Sequence, residues 1–392
     1  MYSNKTLPSL RVNPQSVPAH FSMFSRASSS SRGSRHPPRL MRKTTPDKGE
    51  NMKTSKKLLA ILPAIALVAA SCGGSDGDSS SEAPAETDAA PVETDAPEEV
   101  DQTQAGDLTF HMITHSDDGP FWSVVQRGAD AAAEDLGVTL VWKPGVNDAQ
   151  VMVQDIEAAV AEGTDGIAAS LPDPDALVGP LQAAVGEGIP VITLNSGAND
   201  YQDIGALTHV GQSEDVAGNG AGERFNDAGA TKVLCAFQEQ GNVGLEERCN
   251  GLAETFGGET VIEFMGLDAD TTEQQNTINA FLAADPDIDG VLGVGPVITM
   301  SALRAAQDLG RELTIGGFDM TPDLLGAIEA GDVAFTVDQQ QYLQGYMPVL
   351  LMYLNVTNQN TLGGGLPILT GPGFVTTDNA TAVIELSAAG TR

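Results

Sequence analysis

The run Asp117-Asp118-Gly119-Pro120-Phe121-Trp122 places two carboxylates and two aromatic rings where a β-like apolar run gives way to a helical one. The chain has only two tryptophans in 392 residues, and a core tryptophan usually sits inside an element. Flat rings pack on the C–H faces of a sugar, while carboxylates, amides and guanidinium forks take its vicinal hydroxyls. Residues of these types recur just past the other strand candidates. Asp173 follows "GIAAS", and Asn195 and Ser196 follow "IPVITLN". Gln238 and Glu239 follow "TKVLCAF", with Arg248 on the next helix. Asp319 closes "LTIGGFD", and Asp338 and Gln339 close "VAFTVDQ". Taken alone, Asp118 and Asp173 are also what a helix N-cap requires. The convergence of the set points to a polyol site, with Phe121 and Trp122 as its walls.

Other chemistries lack their residues. "DPDIDG" (285–290) matches half of a calcium loop, but the twelfth position, which needs Glu, is Pro296. It reads as a turn into a buried strand. "GNGAGERF" is glycine-rich without the G-x-G-x-x-G that a dinucleotide site needs. Neither a nucleophile elbow nor a phosphate loop is present. The three histidines beyond residue 106, His111, His115 and His209, have no zinc spacing. His115 suits a ligand contact or a structural role equally. No metal, cofactor or catalytic set is expected.

The elements that must position these residues alternate. Short β-branched runs such as "LTFHMIT", "VTLVW" and "DGIAAS" are separated by amphipathic helical runs, and the pattern restarts after "ALTHVGQ". Such alternation builds a parallel sheet covered on both faces. Two series in tandem predict an α/β protein of two doubly wound parallel-sheet domains joined by a hinge. Ligands bind beyond the carboxyl ends of such strands, so facing ends enclose a cleft. The boundaries expected are 107–211 plus about 340–372 for one lobe, and 212–339 plus about 373–392 for the other.

Charge divides the chain the same way. Twelve of the 20 Lys and Arg precede Cys72, while residues from 107 onward hold 41 acids and eight bases. Such a surface repels nucleic acid. Residues 1–51 are rich in Ser, Arg and Pro and form a disordered or non-native extension. Residues 52–71 carry a basic start and a short apolar run, and with Cys72 they resemble a bacterial lipoprotein signal. Ala69 stands where Leu is commonest, and an ordinary secretory signal is the alternative. Residues 72–106 form an acidic disordered tether. Cys72 is thus the expected lipidation site, anchoring the protein outside the cytoplasm. Cys235 in a strand and Cys249 in the next helix are an even pair in an oxidising compartment. A disulfide is expected, with two free thiols as the alternative.

In their order and spacing, "GPFWSVVQRGADAAAEDLG", "GIPVITLNSG", "EERCNG", "IGGFDMTPD" and "FTVDQQ" resemble the ribose- and galactose-type sugar-binding proteins with the type I periplasmic-binding fold. The resemblance spans about 107–392. It implies a non-catalytic, monomeric binder that hands a sugar to an ABC permease. A ligand-presenting sensor is the alternative. In the family pattern the aromatic pair falls on Phe121 and Trp122, and the polar pair after the fourth strand on Asn195 and Ser196. The arginine falls on Arg248, the G-F-D aspartate on Asp319, and the following amide on Gln339. Gly295-Pro296 replaces an Asn-Asp pair, and an aromatic wall is absent near Ala269. Both departures imply a ligand larger than, or different from, ribose.

Overall fold

The computed structural model describes residues 107–117 and 119–392; Asp118, Cys72 and the rest of 1–106 lie outside the described residues. In the first sheet β1 (Thr109–Thr114), β2 (Thr139–Pro144), β3 (Gly166–Ser170), β4 (Val191–Leu194), β5 (His209–Gln212) and β11 (Ile368–Gly371) run parallel, in the order β11-β5-β4-β3-β1-β2. The second sheet contains β6 (Lys232–Phe237), β7 (Glu259–Phe264), β8 (Gly290–Gly293), β9 (Thr314–Phe318), β10 (Phe335–Asp338) and β12 (Gly373–Val375). Its order is β12-β10-β9-β8-β6-β7, with β12 antiparallel to β10. Each sheet is doubly wound, and each reverses direction between its first and third strands.

Local chemistry explains the elements. β3, β4 and β5 are buried at every position, as strands covered on both faces must be. Helices start on side-chain caps. Asp148 opens α2 (Ala149–Ala161), Asp173 opens α3 (Pro174–Gly186), Ser213 opens α5 (Glu214–Asp227), and Asn242 opens α6 (Val243–Thr255). Each accepts a hydrogen bond from a backbone N–H of the first turn, satisfying a donor the helix leaves orphaned.

The chain passes between the sheets three times: after β5, between β10 and α10 (Gln341–Asn358), and at Pro372 between β11 and β12. α10 leaves the second sheet and packs on α1 (Gly119–Leu136) of the first. A Cβ on Gly345 would collide with the Val125 carbonyl oxygen, so this helix pair meets backbone to backbone.

The glycine-rich stretch has the same use. Gly218 lies on α5 against the Arg248 carbonyl oxygen of α6, and Gly251 lies on α6 against the Asp215 carbonyl oxygen. Side chains at either position would force the helices apart. "DPDIDG" is a turn into β8, with Asp289 accepting from the backbone N–H groups of Thr231 and Lys232.

Two elements escaped the periodicity. Beyond the strand-like tail, which supplies β11 and β12, "ATAVIELSAA" forms α11 (Ala380–Ala389). Its β-branched residues obscured a helical run that a left-handed Gly390 ends. The single turn α4 (Tyr201–Ile204) is too short to show a period.

Cys235 of β6 and Cys249 of α6 are bonded, with Cα atoms 5.7 Å apart. Closing a loop of this length stabilises by about 3 kcal/mol in the chain-entropy account. It also ties α6 to the sheet one residue from Arg248.

Candidate functional site

The carboxyl ends of the strands in the two sheets face one another across a cavity. From the first sheet come His115 after β1, Phe121 and Trp122 on the opening turn of α1, and Asn195 after β4. From the second come Gln238 and Glu239 after β6, Arg248 on α6, Pro296 opening α8 (Pro296–Leu309), and Asp319 after β9. Gln339, at the crossing from β10 to α10, closes one side.

Arg248 is 4 % exposed. Its Nε and Nη2 donate to Glu214 Oε2 at 2.7 Å and Oε1 at 2.9 Å, and Nη1 donates to the Val294 carbonyl oxygen at 2.7 Å. Its guanidinium lies over the Phe318 ring, 4.6 Å from the centroid. Burial alone would lower its pKa, but Glu214, with Asp319 and Glu239 beyond it, holds it above the ordinary arginine value. The two-point grip on Glu214 leaves the outer N–H groups of the fork for the cavity.

Asp319 Oδ2 lies 3.9 Å from Arg248 Nη1, and Asp319 Oδ1 accepts from Gln339 Nε2 at 2.7 Å. Burial pushes its carboxyl up to about 7, against the pull of Arg248 and Gln339. Asp319 and Asn195 end the fourth strands of their sheets, and both adopt left-handed backbone, φ 64° and 61°. Asp and Asn tolerate that region better than other side-chained residues, and here it belongs to two residues that line the cavity.

The amides form a chain. Gln344 Nε2 donates to Gln339 Oε1 at 2.7 Å, and Asn195 Nδ2 reaches the same oxygen at 3.5 Å. On the opposite side Asn242 Nδ2 donates to Glu239 Oε2 at 2.7 Å and lies 3.3 Å from His115 Nε2. Burial alone would raise the Glu239 carboxyl, but His115 and Asn242 hold it below its ordinary value. Trp122 is buried, with its ring edge-on to both His115 and Phe121, at 4.8 and 5.0 Å between centroids. Gln238 Oε1 is buried with no hydrogen-bond partner among the described residues.

Of the residues the sequence offered as ligand contacts, Asp338 pairs with Arg392, while Phe121, Trp122, Asn195, Gln238, Glu239, Arg248, Asp319 and Gln339 line this cavity. Ser196 is buried behind it, its single proton shared between Asn195 Oδ1 at 3.1 Å and Asn242 Oδ1 at 3.0 Å. Asp173 caps α3 and faces a neighbouring groove instead. Asp118 lies outside the described residues. Glu214 and Asn242 were not singled out. Ser213 gives Glu214 the look of a first-turn helix residue, and Asn242 that of a cap, which it also is.

Residues 110–360 match the model of the periplasmic binding protein domain family. The chain belongs to this family. It is 29 % identical over 286 residues to the xylose/arabinose-binding protein XylF of Sulfolobus acidocaldarius, covering 68 % of this chain and 71 % of that one. It is 26 % identical over 248 residues to the ribose import binding protein RbsB of Haemophilus influenzae, covering 62 % and 83 %. Among solved structures, a carbohydrate transporter from Acidothermus cellulolyticus in complex with myo-inositol is 40 % identical, with a TM-score of 0.71, covering 73 % of this chain and 99 % of that one. A solute-binding protein from Burkholderia graminis in complex with D-arabinose is 26 % identical, with a TM-score of 0.65, covering 71 % and 99 %.

The Asp319 carboxyl gives this site a pH signature. It ionises near 3.8 unfolded and about 7 folded, so between those values the folded state holds the extra proton. Its stabilising contribution is full below pH 4 and lost as pH rises through 7. Asp319→Asn mimics the protonated form. Relative to the parent, this variant should gain up to about 1.4 kcal/mol per pH unit between pH 5 and 7. Urea denaturation at several pH values measures the difference, in which the other buried groups cancel: His209, lowered by burial to about 4, and Glu247, raised by burial to about 7. A difference flat from pH 5 to 8 contradicts the assignment.

Proposed function

We propose that the protein is the extracytoplasmic solute-binding component of an ABC importer, that it takes one sugar or cyclic polyol into the cavity between its two sheets, and that it delivers this to a permease. The observation that carries this is the buried Gln238 Oε1, without a hydrogen-bond partner among the described residues, in a cavity whose lining includes paired amides, carboxylates, one guanidinium and the rings of Phe121 and Trp122. A bare buried acceptor costs about 1–3 kcal/mol, and a ligand hydroxyl removes that cost. Phe121 and Trp122 take the C–H face of the ring. Arg248, Asp319, Asn195, Gln238 and Gln339 take hydroxyls around its edge. Relatives that bind myo-inositol, arabinose, xylose and ribose support this class of ligand.

Residues 107–211 with 340–372, and 212–339 with 373–392, move as two bodies about the three crossings, closing on ligand. Contacts across the cleft support this. The Val243 N–H donates to the Pro172 carbonyl oxygen at 3.0 Å, and Asn199 Nδ2 donates to Glu247 Oε1 at 2.8 Å. The protein acts as a monomer, without catalysis, held at the outer face of the membrane by lipid on Cys72.

Thermal denaturation against pentoses, hexoses and inositols tests the ligand class. The cognate compound at 1,000 times its dissociation constant adds about 4 kcal/mol of stability. Stabilisation by an amino acid and by none of the sugars or inositols would overturn the proposal. For the anchor, Cys72→Ser should abolish incorporation of labelled lipid and release the protein from membranes. A parent protein that takes up no lipid contradicts it.

A further inference from the structure

A second hollow adjoins the central cavity. It is far larger, about 650 Å³ against about 50 Å³, and opens between the same two lobes. The two share three lining residues, His115, Glu239 and Asn242. These form the wall between them: Asn242 donates to Glu239 Oε2 at 2.7 Å and accepts from the Gly244 N–H, and His115 bridges to both more loosely. His115 Nε2 lies 3.3 Å from Asn242 Nδ2 and 3.4 Å from Glu239 Oε2. Both distances are at or beyond the long end of a hydrogen bond, so an ether or hydroxyl oxygen could replace the bridge.

The outer hollow is amphipathic. Val146, after β2, and Leu267, after β7, line it from opposite lobes while 62 % and 52 % exposed. Phe264 adds apolar surface. Asp148 and Asp173 each spend one carboxylate oxygen on a helix cap at this rim. Val146 has φ 47° and Asn147 φ 58°. A β-branched residue in left-handed backbone is a strained outlier, and this one is held with its apolar side chain in solvent. Strain of that kind collects at ligand clamps.

We propose that this groove is a second subsite, taking the outer sugar ring of a glycoside whose inner ring occupies the central cavity. The proposal rests on the central cavity being a polyol site. A sugar ring has apolar faces and a hydroxylated edge, which is what Val146 and Leu267, flanked by Asp148 and Asp173, would meet. At the shared wall of His115, Glu239 and Asn242, the long His115 bridge marks where a glycosidic link would pass from one hollow to the other.

Calorimetric titration of the whole protein tests this with matched pairs: myo-inositol and galactosyl-myo-inositol, xylose and xylobiose, galactose and lactose. In at least one pair the two-ring compound should bind tenfold or more tighter than its single-ring partner. Leu267→Asp and Val146→Gly should each remove that gain and leave single-ring affinity within twofold. Both positions are exposed, and glycine relieves the backbone at 146, so the fold should survive. Single-ring binding with no tighter two-ring partner overturns the subsite and leaves the polyol site standing. So does a gain that persists in both variants, or a loss shared equally by one-ring and two-ring ligands. No binding by any of the six compounds overturns both.

Discussion

An arginine buried at the centre of a protein must find its counter-charge there, and Arg248 finds it in Glu214. Removing one partner from such a pair leaves an uncompensated charge and typically costs 3–5 kcal/mol. The local structure serves this contact. Gly218 and Gly251 let α5 and α6 approach closely enough for the two side chains to meet two-pronged. The Cys235–Cys249 bond holds α6 against β6 at the residue next to Arg248. Burial is what holds Asp319 near 7; Arg248 and Gln339 pull it down, and the Glu214 charge that pairs Arg248 adds a smaller push upward.

The charged floor belongs wholly to the second lobe, while Phe121, Trp122, His115 and Asn195 belong to the first. One lobe thus carries the charge and the other the flat apolar wall. The proposed polyol ligand would meet both, one at its edge and one at its face, across the two lobes. Gln339 sits where the chain passes between them. It is bonded to Asp319 on one side and to Gln344 and Asn195 on the other. The crossing itself is therefore wired into the site.

Much of this was legible in the chain. Alternation of β-branched and amphipathic runs marked two doubly wound sheets, and residues past the strand ends, with Arg248 on the next helix, supplied most of the polar cavity lining. What was hidden depended on contacts distant in sequence. Glu214 reads as an ordinary acidic residue in a first turn, and only the α5–α6 approach makes it the partner of a residue 34 positions on. Asp173 shows the converse. Its position fitted a contact in the central cavity, yet one of its carboxylate oxygens caps its own helix and the residue lines the outer groove instead. The glycines of "GNGAGERF", which lack the dinucleotide pattern, are helix-packing positions, a role set by α6 that no local pattern carries.

The central claim is that ligand is enclosed between the aromatic wall of one lobe and the charged floor of the other. Trp122 is 4 % exposed in the structure with the lobes in contact, so closure must change its surroundings. Substituting Trp142→Phe leaves Trp122 as the sole tryptophan. Its emission is then followed during titration with whichever sugar or inositol stabilises the protein. Enclosure predicts a saturable spectral shift with the same dissociation constant as calorimetry. A ligand that binds at full stoichiometry and leaves Trp122 emission unchanged contradicts it.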